Sequence, residues 1–167
     1  MRKSTRTLLM MALLAFSFTS CTKDSLEEEV TAYDQVAEKV NVEYTDIELE
    51  ILAEVNDYRA SLGLAELKPL AEISVEAEDH NVYMAQQGQI SHDNFGNRYE
   101  SLVRNVNAQA VSENVAYGYR TAESVVKAWV NSSSHRHNIE GKHTHFGISV
   151  LSDEEGKNYF TNIFVRK

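Results

Sequence analysis

Residues 121–139 read TAESVVKAWVNSSSHRHNI. Thr121 is a natural N-cap, and Val125, Val126 and Trp129 recur at the spacing of one helix face, so the stretch predicts a helix over 122–131 that packs inward on its apolar side. Ser132, Ser133 and Ser134 break it, and Ser133 or Ser134 is placed to cap a short turn over 135–140. Beyond this point the period changes from 3.6 to 2. Phe146, Ile148 and Val150 alternate with small or polar residues, the turn DEEGK (153–157) follows, and Tyr159, Thr161, Ile163 and Val165 alternate again. That pattern predicts an antiparallel hairpin.

Working upstream, Thr45 and Glu48 form a capping-box pattern ahead of Ile47, Ile51, Val55, Tyr58 and Leu62, and Gly63 ends that helix. A second helix is expected over 70–87, with Ile73, Ala77, His80, Asn81, Met84 and Ala85 along one face and Gly88 as its stop. The loop SHDNFGN comes next, then a short helix over 99–105 and the polar stretch NAQAVSEN (107–114). Helices first and strands last predict an α+β domain, a small antiparallel sheet flanked by helices.

Residues 1–20 stand outside this pattern. Arg2, Lys3 and Arg6 precede the apolar run 8–18, and Thr19 and Ser20 lead into Cys21, which together predict an export signal; an uncut signal-anchor is the alternative. Phe18 to Cys21 resembles a bacterial lipobox, and Cys21 is the only cysteine. The resemblance implies a lipoprotein held to the membrane by acyl chains on Cys21, at the outer membrane or cell surface. Residues 21–44 then read as an acidic tether and 45–167 as the folded domain. Removing the three leader cations from 16 Lys and Arg leaves 13 against 25 Asp and Glu, about −12. No basic stripe tracks phosphates, so nucleic acid is excluded as a partner.

Three ionisable residues sit in polar clusters that interrupt the apolar pattern: His92 in QISHDNF, Glu113 in SENVAYG and His135 in the opening stretch. Imidazole and carboxylate bind metals, move protons near neutral pH and orient one another, so a fold that gathers these three builds a reactive or ligand-binding pocket. The other histidines have plainer readings. His80 lies on the inner face of its helix as a packed residue, whereas His137, His143 and His145 fall in a polar loop and are expected to be solvated; their HRH and HTH spacings are weak metal motifs.

In order along the chain, GLAELKPL (63–70), AEDHNVYM (77–84), ISHDNF (90–95), SENVAYG (112–118), TAESVVKAWVNSSSHRHNI, THFGISV (144–150) and YFTNIF (159–164) resemble the bacterial branch of the CAP superfamily of SCP-like extracellular domains. The resemblance spans residues 46–166 and implies an α/β/α sandwich with a central cleft, where His92, Glu113 and His135 match three positions of the family tetrad. The fourth, a glutamate three residues after the tryptophan in many eukaryotic members, is Ser132 here. The GEN glycine is Ser112, and the family's disulfides are missing with their cysteines.

For the implied cleft two chemistries stay open. His92 and His135 could hold zinc or another divalent metal, with Glu113 fixing an imidazole tautomer from behind. Alternatively one histidine is a general base in a peptidase or cell-wall hydrolase, with Ser91, Ser132, Ser133 or Ser134 as nucleophile or water-positioning group, although no GxSxG elbow is present. A purely structural hydrogen-bonded network is the third reading. The expected partners are the membrane, through the lipid, and an extracellular peptide, lipid or cell-wall component.

Overall fold

The computed structural model describes residues 41–167. The expected leader, Cys21 and the tether up to residue 40 lie outside the described residues. Helix α1 (Asp46–Ser61) opens at Thr45, whose backbone N–H and hydroxyl both donate to Glu48 Oε2 at 2.8 Å. The other oxygen, Oε1, accepts the Val150 N–H at 2.7 Å, so one capping carboxylate also fastens the helix to the sheet.

Strand β1 (Lys68–Pro69) and helix α2 (Ala71–Gln87) follow, and α2 ends on Gly88 at φ 66°, the left-handed C-cap that glycine adopts without a Cβ penalty. Helix α3 spans Phe95–Val106, strand β2 Ala110–Tyr117, helix α4 Ala122–Asn131 and helix α5 Ser133–Ile139. Strands β3 (His145–Ser152) and β4 (Asn158–Arg166) form the expected hairpin. The N-cap position of α5 is Ser132, and not Ser133 or Ser134.

The four strands lie in the order β1-β3-β4-β2. β3 and β2 flank β4 in antiparallel register, with Phe146 opposite Phe164 and Glu113 opposite Ile163, whereas β1 runs parallel to β3. The sheet is therefore mixed, and not wholly antiparallel as the sequence suggested. β2 is the other departure. Its buried Glu113 and Asn114 interrupt the apolar alternation that marks a strand, and neighbouring side chains satisfy them instead of water.

On one face α1, α4 and α5 enclose Ile51, Val55, Val125, Trp129, Phe160 and Phe164; on the other α2 and α3 enclose Ile73, Ala77, Leu102, Val106, Ile163 and Val165. This is the expected α/β/α sandwich. Each fully buried aliphatic or aromatic side chain contributes about 1.5–3 kcal/mol to it. The approach of α2 to the sheet depends on Gly147, because a Cβ there would lie 2.5 Å from the Ser74 nitrogen and 2.7 Å from the Ile73 carbonyl carbon.

Candidate functional site

Glu113 is the centre of a polar cluster between β2 and the α2–α3 layer, and its side chain is only 2% exposed. Arg98, at the end of the first turn of α3, grips it with two parallel hydrogen bonds, Nε to Oε2 and Nη2 to Oε1, both 2.8 Å. Arg98 Nη1 also donates to the Asp93 carbonyl at 2.8 Å, and the guanidinium lies 5.8 Å from the Phe95 ring centre. Burial alone would raise the Glu113 pKa. The hydrogen bonds from His92 and Arg98, with the Arg98 charge, outweigh it and hold the carboxyl below its usual value.

His92 precedes the Asp93–Asn94 turn into α3, where Asn94 adopts the left-handed backbone at φ 59°. Its Nδ1 lies 2.8 Å from Glu113 Oε1 and the side chain is 51% exposed. An ionised carboxylate can only accept, so Nδ1 carries a proton and Nε2 is the ring nitrogen not engaged by Glu113.

Behind it stands His80, 2% exposed, whose Nε2 lies 2.8 Å from the Ser91 carbonyl and 3.9 Å from Glu113 Oε1. The carbonyl fixes the tautomer as Nε2–H, and burial, more than any neighbouring charge, holds the ring below the ordinary imidazole pKa. His80 thus pins the residue just before His92.

His135 approaches from the opposite layer, in the first turn of α5. Asn138 and Asn114 set this helix against β2: Asn138 Nδ2 donates to the Glu113 carbonyl at 3.1 Å and to Asn114 Oδ1 at 2.9 Å, and Asn114 Nδ2 donates to the His135 carbonyl at 3.0 Å. The His135 ring lines a hollow of about 400 Å³ with Ile90, Tyr117, Trp129 and Ser132. Burial first, and the proximity of His92 second, lower its pKa. β2 is an edge strand; His92 and Glu113 meet on its α2–α3 side, whereas His135 belongs to α5 in the other layer.

None of the serines weighed as nucleophiles is hydrogen-bonded to His92 or His135. Ser91 Oγ accepts the Asp93 N–H, and Ser132 Oγ bonds Ser134 Oγ. A Ser–His contact does exist at Ser112, whose Oγ lies 3.1 Å from His143 Nε2 in the α1–α5 layer, away from Glu113. His143 is accordingly not the solvated loop residue expected: it packs on Phe164, and burial, helped by Arg59 and Arg166, lowers its pKa to about 4. His137 is exposed, and His145 opens β3 with Nδ1 on the Thr144 hydroxyl.

Arg98 was missed in the sequence. The available signal was electrostatic: a cation near a helix N-terminus opposes the helix dipole, and α3 has no acidic residue in its first turn, so such an arginine needs an anion elsewhere.

Arg98→Met leaves a buried carboxylate with only the imidazoles of His92 and His80 beside it, and the expected loss is about 3–5 kcal/mol of unfolding free energy in urea titration. Arg98→Met/Glu113→Leu removes both charges and should cost clearly less; equal loss in the two proteins would contradict the pairing. A second expectation concerns acid. Between pH 6.5 and about 4 the unfolded chain takes up a proton at His143 that the folded chain refuses, so stability falls as pH falls through that window. His143→Gln should flatten this part of the melting-temperature profile.

Comparison with known proteins follows the same outline. Over 130 residues, 74% of this chain, it is 31% identical to the membrane protein YlbC of Bacillus subtilis, and the match spans 35% of that relative's length. Among solved structures, an outer surface protein from Borrelia burgdorferi superposes with a TM-score of 0.68 at 19% identity, covering 75% of this chain and 96% of that one. An extracellular SCP-domain protein from Bacillus anthracis gives 0.63 at 23% identity, covering 76% and 45%. Residues 52–165 match the sequence profile of the cysteine-rich secretory protein family, and the chain belongs to this CAP family.

Proposed function

We propose that the chain is an envelope-displayed CAP binding module whose cleft, formed by His92, Glu113 and His135, takes an extracellular ligand together with a divalent cation such as zinc. The observation that carries this reading is the 2.8 Å bond from His92 Nδ1 to a carboxylate already neutralised by Arg98. It fixes the ring and leaves Nε2 as an outward donor, the arrangement in which a carboxylate behind a histidine tunes it as a metal ligand. The depressed pKa of His135 keeps its ring neutral at neutral pH, as a ligand must be.

Among the described residues no group of three or more His, Cys, Asp or Glu is arranged to hold an ion by itself. The donor set fits two imidazoles, with solvent or the ligand completing the shell. A bound cation would supply a Lewis-acidic contact for an oxygen of the ligand. The same oriented imidazole suits a general base, but among the described residues no serine hydroxyl is hydrogen-bonded to His92 or His135, so binding is favoured over hydrolysis. Display on the envelope rests on the acyl anchor read at Cys21.

Calorimetric zinc titration should show one site in the wild type, lost in His92→Ala/His135→Ala and weakened by about 10–100-fold in Glu113→Gln. Unchanged binding in the double variant would remove the metal reading. Palmitate should label the wild type in cells and not Cys21→Ala; a labelled variant would reject the anchor.

A further inference from the structure

Half of the eight large apolar side chains exposed among the described residues gather in one region. Val82, Ile90, Tyr117 and Tyr119 are exposed, and all four line two neighbouring hollows that share Tyr117. The first is the hollow of about 400 Å³ beside Trp129. The second, of about 690 Å³, lies between the C-terminal end of α2 and the β3–β4 turn, with Val82 and Leu151 on its walls and Asp153, Glu154 and Glu155 on its rim.

The rim carries three carboxylates against one ammonium. Asp153 Oδ1 accepts the Glu155 and Lys157 N–H groups of the turn, and Oδ2 accepts the Tyr117 hydroxyl at 3.3 Å. Lys157 Nζ sits 3.0 Å from Glu155. Glu154 is exposed and has no partner among the described residues. A negative rim beside an exposed tyrosine favours a cation, through charge and through the ring face.

Strand addition is not the mode of recognition here. The outward carbonyls of Glu113 and Val115 on β2 are taken by Asn138 Nδ2 and Trp129 Nε1. A ligand must therefore be read through side chains. A small polyamine would satisfy the acidic rim but leave the hollow beside Trp129 and Ile90 unfilled, whereas a polypeptide supplies both chemistries along one strand.

We propose that these paired hollows bind a polypeptide segment, a bulky apolar residue seating beside Ile90 and Trp129 and a nearby lysine or arginine crossing Tyr117 to the carboxylates of the β3–β4 turn. The smaller hollow is the one His135 lines, so the site adjoins the cleft proposed above, but peptide recognition there requires no metal.

The test is fluorescence anisotropy on the full chain with a labelled (Leu-Lys-Ser-Gly)3 peptide. Saturable binding is expected, weakened at least about fivefold by acetylating the lysines, by replacing Leu with Ser in the peptide, by Glu154→Gln/Glu155→Gln and by Tyr117→Ser, and falling with salt. Absence of saturable binding, or an acetylated peptide or a Glu154→Gln/Glu155→Gln protein that binds as well, overturns the proposal. Spermine competing as effectively as unlabelled peptide overturns the polypeptide assignment. Chelation with EDTA should leave the peptide affinity unchanged, and a parallel loss would make binding depend on the metal cleft and overturn it too.

Discussion

The site depends on one buried ion pair. A carboxylate as enclosed as Glu113 would be protonated or excluded if it stood alone, since desolvation of an unpaired charge costs several kcal/mol. The Arg98 fork reverses that balance, and it does so from a helix whose N-terminal dipole disfavours a cation. The position of α3, the turn at Asp93–Asn94 and the tilt of the His92 ring are consequently one coupled constraint. Arg98 reaches the turn through the Asp93 carbonyl and reaches His92 through Glu113.

Side chains from the helices close the sheet edges around this pair. Beyond the two residues of β1, the outward N–H groups of Ile148 and Val150 are accepted by Ser74 Oγ and Glu48 Oε1. On the opposite edge, Asn138 and Trp129 occupy carbonyls of β2. Edges blunted in this way resist pairing with another chain. They also bring both helix layers to the rim of β2.

Much of this was legible in the sequence because periodicity and capping are local. The Thr45–Glu48 box, the Gly88 stop, the Thr121 cap and the alternation on either side of DEEGK each correspond to an element observed. What escaped was set by tertiary partners. β2 was hidden because Glu113 and Asn114 are buried polar residues whose partners lie on α3 and α5. β1 pairs over two residues only, too few for any periodicity, and His143 looked solvated because the aromatic floor beneath it, Phe164, is 21 positions away in sequence. Of the site, the two histidines and the glutamate stood out by chemistry, and Arg98 did not, since its role follows from an anion on another element.

Whether the cluster is scaffold or site turns on which atoms the fold uses up. Arg98 alone gives Glu113 its neutralising partner and ties α3 to the sheet, and buried His80 fixes the loop through the Ser91 carbonyl. His92 adds a third hydrogen bond to an already satisfied carboxylate from a ring that is half exposed, a position where a purely structural contact contributes little. Its Nδ1 is engaged while Nε2 has no structural task. A side chain oriented this firmly at one end and left open at the other is the feature on which the proposed binding reading rests, and under that reading His135, on the other helix layer, supplies the second imidazole.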